Sequence, residues 1–397
     1  MKLIERKSYL QKLIDVEGTP DIKVVTGVRR SGKSKLLEAF KHHVVSSDPG
    51  ANIIHVNFNL TEFEGLMEYH ALDEFVRAAY VPGASNYVII DEVQMCEGFE
   101  RAINSFHASE NFDIYITGSN AFLLSSDLAT LFTGRTFEIE VFPFSFAEYL
   151  AYFGEEEGID GAFDRYVHTG GMSGSYPYKN EADRSAYVKD VFETLIMRDI
   201  RQKYDVRNPD LLNRLSEFLM DNVSNVTSAR SVASSLEGDT EANHKTVGSY
   251  IEYLCNAYAF YKVRRYDIRG KKYLSSGDKY YLSDHSFRLA KLGTRNMDWG
   301  RVYENMVAIE LLRRGYELYV GKLYQKEVDF VAMRGSEKMY VQVSDDISAF
   351  ATFEREVDPL LRIRDGYPKF LIARTRHETY DHEGIMIHDL ARWLSAE

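Results

Sequence analysis

The sequence GVRRSGKS, Gly27–Ser34, decides the fold of the N-terminal part of this chain. It fits the pattern G-x-x-x-x-G-K-[ST], in which the glycines let backbone N–H groups approach phosphate oxygens. The preceding run IKVVT, 22–26, is β-branched and predicts a strand, whereas KLLEAFKHHV, 35–44, predicts a helix. A strand, a glycine loop and a helix in this order predict a phosphate-binding loop at a helix N-terminus.

Every residue of this loop is a candidate for nucleotide binding. Lys33 would place a point charge on the β- and γ-phosphates and support catalysis, and the Ser34 hydroxyl would ligate Mg²⁺. The alternative is a glycine-rich turn with a surface lysine, but the flanking strand and helix argue against it. The candidates are Gly27, Val28, Arg29, Arg30, Ser31, Gly32, Lys33 and Ser34.

The run YVIIDE, 87–92, predicts a buried strand that ends in two carboxylates. Ligands of open α/β sheets lie at the carboxyl ends of the strands. Asp91 would therefore hold Mg²⁺, and Glu92 would orient or activate the attacking water. An acidic pair that caps a helix is the alternative, although the position of the pair after the glycine loop favours the metal site.

Two further segments add candidates for catalysis. DIYITGSN, 113–120, predicts another strand, after which Ser119 could bind nucleotide and Asn120 could sense the γ-phosphate, although an ordinary turn explains these residues equally well. In LFTGRTFEIEVFPF, 131–144, Arg135 stands immediately before a predicted strand. It could act as an arginine finger on a neighbouring subunit, or it could be a surface arginine that closes a helix.

The four segments GVRRSGKS, YVIIDE, ITGSN and TGRTFEIEVFPFSFAEYL resemble those of the AAA+ ATP-binding proteins of bacteria and archaea that carry a C-terminal domain of unknown function. The resemblance extends over nearly the whole chain. It implies ATP and Mg²⁺ as ligands, and it implies the Walker A, Walker B, sensor and finger roles at the positions given above. A finger that acts in trans also implies a homo-oligomer.

The composition of the 397 residues is that of a globular protein, with 45% hydrophobic and 27% charged residues. The two cysteines, Cys96 and Cys255, support neither a disulfide framework nor a cysteine-rich zinc site, so we expect a cytoplasmic protein. We expect no signal peptide and no membrane span, because no apolar run is long enough. A net charge of −12 restricts any contact with nucleic acid to a local basic patch.

The middle of the chain predicts helices followed by a hairpin. Residues 146–207 read as a helical lid, and residues 208–290 read as three helices and two strands, the outline of a winged helix. The segment 263–272 carries a net charge of +4 and would contact phosphates without choosing a sequence. Protein contact is the alternative for such a domain. The candidate DNA-binding residues are Lys245, Arg264, Arg265, Arg269, Lys271 and Lys272.

Three polar residues lie on successive predicted elements of the C-terminal segment. Glu304 lies on a helix predicted over 300–322, Asp329 lies on the next strand, and Gln342 lies on the strand after that. This arrangement resembles the PD-(D/E)XK nuclease fold. Such nucleases use carboxylates to hold Mg²⁺ and a lysine to help activate water. Here Gln342 replaces a carboxylate and Ser344 replaces the lysine, so we expect a degenerate site without nuclease activity.

We therefore predict an α/β protein with an AAA+ P-loop ATPase core (1–145), a helical lid (146–207), a winged-helix domain (208–290) and a nuclease-like domain (291–397). The predicted function is Mg²⁺-dependent ATP hydrolysis coupled to a conformational change in an oligomer that acts on duplex or branched DNA. The alternative is a nucleotide-dependent signalling switch that binds protein partners through its C-terminal domains.

Overall fold

A computed structural model describes residues 4–118, 131–132, 134–154, 156–236, 243–274, 277–294 and 297–396. The chain divides into two compact units, Met1–Phe142 and Pro143–Glu397. Each unit contains one β-sheet with helices packed on it, so the predicted α/β class is confirmed. In the described ranges, the helices are either too short or too polar to cross a membrane.

The first unit is built on a parallel sheet whose strands lie in the order β2-β3-β4-β1-β5. Its strands are rich in β-branched residues because both faces of the sheet are covered. Val24, Val88, Ile90, Ile114 and Ile116 are all buried in one core. The strands are β1 (Ile22–Thr26), β2 (Asn52–Asn57), β3 (Asn86–Asp91), β4 (Asp113–Thr117) and β5 (Thr136–Glu140).

The helices of this unit present apolar stripes to the sheet. Leu72 and Val76 of one helix and Ile103 and Phe106 of another are fully buried in the same core as the strands. Short 3₁₀ helices lie at Thr61–Leu66 and Val93–Met95. The α-helices are α1 (Lys7–Asp15), α2 (Lys33–Ser47), α3 (Tyr69–Ala78) and α4 (Phe99–Ala108).

The second unit begins with helices. Ser145 and Glu148 form a reciprocal capping box at the start of the helix Phe146–Phe153, and Pro209 occupies the first turn of the helix Pro209–Asp221. A π-helical segment, Leu195–Ile200, joins α7 to α8, and Ser173–Ser175 is a 3₁₀ turn. The helices are α5 (Phe146–Phe153), α6 (Gly158–Thr169), α7 (Glu181–Thr194), α8 (Arg201–Tyr204), α9 (Pro209–Asp221), α10 (Ala229–Ser235) and α11 (His244–Asn256).

The remainder of the second unit forms a mixed sheet in the order β13-β14-β12-β11-β10-β9-β6-β7, with β8 paired to the first half of β6. The strands are β6 (Phe260–Asp267), β7 (Lys272–Tyr273), β8 (Lys279–Leu282), β9 (Glu317–Leu323), β10 (Lys326–Arg334), β11 (Glu337–Ser344), β12 (Lys369–Ala373), β13 (Tyr380–His382) and β14 (Ile385–Asp389). The helices are α12 (Ser286–Leu292), α13 (Trp299–Arg313), α14 (Phe350–Leu361) and α15 (Leu390–Ser395).

One predicted element is corrected by this sheet. The helix expected over residues 300–322 ends at Arg313, and residues 317–323 form β9 instead. Gly315 has a φ of 82°, in the left-handed region that commonly terminates helices, and the following strand places Leu318 and Val320 in the core. The strands expected on either side of the basic segment are confirmed, because β6 and β8 pair in antiparallel register.

Candidate functional site

The predicted strand–loop–helix is confirmed at the C-terminal end of β1. The loop leaves β1 after Thr26, and α2 begins at Lys33 with Gly32 as its N-cap residue. Gly27 and Gly32 have φ values of 132° and 102°, which favour glycine. A Cβ atom on Gly27 would lie 2.1 Å from the Val141 carbonyl oxygen, so a side chain does not fit at this position.

The Lys33 side chain folds back over the loop. It is buried, and its Nζ donates to the carbonyl oxygens of Gly27 at 2.8 Å and Val28 at 3.2 Å. These bonds hold the ammonium against the inner side of the loop, beside the backbone amides at the start of α2. A positive charge and a helix N-terminus at one point form an electrostatic environment suited to phosphate.

The other loop residues differ in their exposure. Val28 is buried, Arg29 and Ser34 are half-buried, and Arg30 is exposed with a φ of 65°. The Ser31 side chain is buried, and its Oγ makes no hydrogen bond to any residue that the structure describes. A buried hydroxyl without a partner is costly unless a ligand or water satisfies it.

Arg6 supports this loop from the N-terminal segment, and sequence reasoning missed it. Its guanidinium is buried and donates to the carbonyl oxygens of Ser31 at 2.8 Å and Phe142 at 2.9 Å. It also lies 4.4 Å from the centre of the Tyr9 ring, close enough for a cation–π contact. Arg6 therefore ties the loop to the segment after β5, and no local sequence motif marks this role.

The two carboxylates predicted at the end of β3 occupy different environments. Asp91 is buried and accepts a hydrogen bond from the Thr117 hydroxyl, whereas Glu92 is half-buried and accepts from Gln94 Nε2 at 2.6 Å. Glu92 also has a φ of 59°, which is unusual outside glycine and is often found at functional sites. Its backbone N–H donates to Thr117 Oγ1 at 3.1 Å.

Thr117 was not among the predicted site residues. It ends β4, which lies between the glycine-loop strand β1 and the Asp91 strand β3, and it pairs in register with Val25. The three parallel strands bring the loop, Thr117 and Asp91 to one edge of the sheet, with β1 and β3 separated by about 10 Å, two strand spacings. The signal that could have found Thr117 is a hydroxyl residue at the end of a predicted parallel strand.

Ser119 and Asn120 lie outside the described residues. Arg135 is exposed and directly precedes β5, as expected. Its carbonyl oxygen accepts from the N–H of Ile22, the first residue of β1, so Arg135 lies at the sheet edge opposite the glycine loop. Five strand residues separate the two edges by about 13 Å.

The edge that carries the glycine loop fits a nucleoside triphosphate with Mg²⁺. The positive-φ glycines leave space for phosphate oxygens, Lys33 supplies a charge, and the unpartnered Ser31 hydroxyl supplies a polar group. Ser34 and Asp91 offer oxygen atoms, which are the ligands that Mg²⁺ prefers.

The predicted DNA-binding residues lie on one helix, on two strands and on the turn between these strands in the second unit. Lys245 is exposed in the first turn of α11. The others lie on β6, on the turn after it and on β7, where all are exposed except the half-buried Arg265. The Arg269 guanidinium lies 5.0 Å from the centre of the exposed Tyr324 ring. Most of these side chains are accessible to a partner.

The structure brings the three predicted residues of the degenerate site together. Glu304 of α13, Asp329 of β10 and Gln342 of β11 are buried, and Asp329 N–H donates to Gln342 Oε1 at 3.3 Å. Sequence reasoning missed Lys279 of β8, whose Nζ lies 2.9 Å from Glu304 Oε1. Burial raises the pKa of Asp329 well above its ordinary value, and the nearby Glu304 carboxylate adds to this effect.

Comparison with known proteins identifies the domain that contains the glycine loop. Residues 19–150 match the family described as an AAA domain, and residues 160–298 match a domain of unknown function, DUF8612. An uncharacterized protein of Haemophilus influenzae is 36% identical over 400 residues, which cover 99% of this chain and 98% of that protein. The chain belongs to the family of this Haemophilus protein. The match over residues 19–150 confirms that the chain contains an AAA domain.

Two more distant similarities accompany this family. An uncharacterized protein of Methanocaldococcus jannaschii is 25% identical over 375 residues, which cover 90% of this chain and 82% of that protein. The structure of AMPPCP-bound DnaA from Aquifex aeolicus covers 64% of this chain and 89% of its own, with 16% identity and a TM-score of 0.33. At that TM-score the DnaA structure adds no functional argument.

Proposed function

We propose that this family member hydrolyses ATP with Mg²⁺ and couples the reaction to a conformational change in an oligomer. The observation that carries the proposal is the shared sheet edge on which the glycine loop, Thr117 and Asp91 meet. It combines an anion-binding helix N-terminus with buried oxygen ligands. The AAA domain match at residues 19–150 supports the same chemistry.

Each residue at this edge has a role in that proposal. The loop amides and Lys33 bind the phosphates, and Ser34 and Asp91 hold the Mg²⁺ that neutralises phosphate charge. Glu92 accepts a hydrogen bond from the water whose oxygen attacks the γ-phosphorus as the bond to the bridging oxygen breaks. Asn120 senses the γ-phosphate. The products are ADP and inorganic phosphate.

Arg135 acts on a neighbouring subunit in this proposal. Its position at the opposite sheet edge supports a role in trans, because it is about 13 Å from the loop edge of its own chain. Lys33→Ala and Arg135→Ala variants should each lose most ATPase activity. Mixing the two variants should restore part of the ATPase activity. In a mixed oligomer, the Arg135 of a Lys33→Ala subunit can face the intact glycine loop of an Arg135→Ala subunit.

A matched control makes that test specific. Arg101 is an exposed arginine on α4 and makes no bond to the glycine loop in the described residues, so Arg101→Ala should keep normal activity. Mixtures of Lys33→Ala and Arg135→Ala that stay inactive, although both variants assemble with the wild type, would argue against a finger in trans.

DNA is the partner that we propose for the second unit. We assign residues 146–207 to a lid, 208–290 to a winged helix and 291–397 to an inactive nuclease-like domain. The exposed basic residues of β6, the following turn and β7 support phosphate contacts on an otherwise acidic chain. Ser344 occupies the position at which such nucleases have a lysine, and this replacement supports the lack of DNA cleavage.

Charge reversal tests the DNA proposal. The double variant Lys271→Glu/Lys272→Glu should bind duplex or branched DNA more weakly, with a salt slope lower by about one per lost phosphate contact. The control Lys7→Glu/Lys189→Glu changes the net charge equally at exposed positions outside the patch. Equal binding by both variants, together with ATPase activity indifferent to DNA, would favour the alternative signalling switch that binds proteins.

A further inference from the structure

A buried lysine in the second unit is surrounded by carboxylates. Lys279 Nζ lies 2.8 Å from Glu327 Oε1, 2.9 Å from Glu304 Oε1 and 3.7 Å from Asp329 Oδ1. Its side chain is only 4% exposed, whereas Glu304 and Asp329 are 12% and 11% exposed. Charges removed from water in this way need partners, because an isolated buried charge is very costly.

Three separate elements build this cluster, and further hydrogen bonds fix its orientation. Lys279 lies on β8, Glu304 lies on α13, and Glu327 and Asp329 lie on β10. In the sheet, Lys279 pairs with Val263 of β6. The Tyr281 hydroxyl donates to Glu304 Oε1 at 2.7 Å, and the Val343 N–H donates to Asp329 Oδ2 at 2.9 Å. The two carboxylates are therefore held in place by groups other than the lysine.

Ionised carboxylates from a helix and a strand that converge in a buried site repel each other unless a cation lies between them or one of them binds a proton. A divalent metal is one such cation, and an ammonium is another. In the described part of the chain, no group of three or more His, Cys, Asp or Glu side chains is arranged to hold a metal ion. The space between the carboxylates contains the Lys279 ammonium instead.

We infer that Lys279 is the built-in cation of this cluster and that it takes the place a divalent metal would otherwise occupy. The ammonium satisfies Glu304 and Glu327 with direct bonds, and it keeps Mg²⁺ and Mn²⁺ away through both its charge and its volume. It also fastens the β6–β8 hairpin to α13 and β10. The inference does not depend on the proposed ATPase function, because all of its residues lie in the second unit.

Burial and charge act in opposite directions on this lysine. Burial opposes the charged form, but the carboxylates of Glu304, Asp329 and Glu327 outweigh it and raise the pKa of Lys279 above its ordinary value. The carboxylates therefore favour the ammonium form of Lys279. Because this cation is a side chain of the protein, it cannot leave the cluster as a metal ion can.

Mn²⁺ binding to the full chain without nucleotide tests the inference. Lys279→Ala should gain one Mn²⁺ site at least tenfold tighter than any site of the wild type, measured by calorimetry or by the electron spin resonance signal of free Mn²⁺. Its melting temperature should fall without Mn²⁺ and rise again with it. The gained site should vanish in Lys279→Ala/Asp329→Asn. The control Lys262→Ala removes an exposed lysine of the same hairpin and should gain no site.

Two results would overturn the inference. One is a Mn²⁺ site in the wild type that Asp329→Asn abolishes, since the lysine would then leave room for the metal. The other is a folded Lys279→Ala variant that binds no Mn²⁺. If that variant fails to fold, the wild-type and Asp329→Asn measurements still decide, because the inference requires that neither chain binds Mn²⁺ in this cluster.

Discussion

Thr117 donates its hydroxyl hydrogen to the Asp91 carboxylate and accepts the backbone N–H of Glu92 at 3.1 Å. One hydroxyl therefore positions both residues of the proposed metal and water sites. It can do so because β4 lies directly beside β3 in the parallel sheet. The carboxylate that would hold Mg²⁺ and the strained backbone of Glu92 are thus oriented by a residue that need not contact the nucleotide.

Replacing this hydroxyl with a methyl group should impair ATP hydrolysis. Thr117→Val keeps the side-chain shape but removes a hydrogen bond to a charged group, worth about 1.5–3 kcal/mol, so we expect kcat to fall by roughly 10-fold or more. Thr117→Ser should retain most activity. Steady-state ATPase assays over a Mg²⁺ titration measure this effect. The exposed Thr61→Val is the control, and equal activity in both valine variants would refute the role of Thr117.

Arg6 should matter for nucleotide affinity although it belongs to the N-terminal segment. Arg6→Ala removes two hydrogen bonds, one to the carbonyl oxygen of Ser31 and one to that of Phe142. Both oxygens then lose the guanidinium as their donor. We expect an unfolding free energy lower by about 2–4 kcal/mol and weaker binding of a fluorescent ATP analogue. Lys7→Ala removes the neighbouring exposed cation and should change neither quantity. Unaltered binding by folded Arg6→Ala would contradict this prediction.

The thiol of Cys96 should be inert in the folded protein. Burial, assisted by the Glu68 and Glu100 carboxylates, raises the pKa of Cys96 to about 12. The thiolate is the reactive form, so at pH 8 alkylation should be about three orders of magnitude slower than in denaturant. A Cys255→Ser background isolates Cys96, and mass spectrometry after iodoacetamide treatment follows the reaction. Raising the pH towards 10 should speed the reaction, and rapid alkylation at pH 8 would show that Cys96 is accessible.

The local pattern of the sequence was sufficient to predict the glycine loop, Lys33 and the Asp91 strand. Each of them depends on residues adjacent in the chain, namely a β-branched run, a glycine spacing and a helix start. Thr117, Arg6 and Lys279 were missed because their partners lie 26, 25 and 25 residues away in sequence. Only the order of strands in space brings such residues together, and periodicity does not determine that order.

The glycine-loop edge and the opposite edge of the first sheet should respond differently to mutation. At the opposite edge, Lys23 Nζ lies 2.6 Å from Asp113 Oδ1 and 2.6 Å from the Thr19 carbonyl oxygen, and the Lys23 side chain is fully buried. Lys23→Met removes the cation but leaves the carboxylate largely buried. We expect the unfolding free energy to fall by about 3–5 kcal/mol.

Nucleotide affinity should stay unchanged in folded Lys23→Met, because three strand residues separate Lys23 from the loop. Lys35→Met breaks the exposed pair with Glu38 and should cost no more than about 1 kcal/mol. Urea unfolding and ATP-analogue binding on both variants separate the two effects. If Lys23→Met unfolds at the same urea concentration as Lys35→Met, the buried pair does not stabilise the sheet. If folded Lys23→Met loses nucleotide, the two edges are coupled, and the loop depends on the whole length of β1.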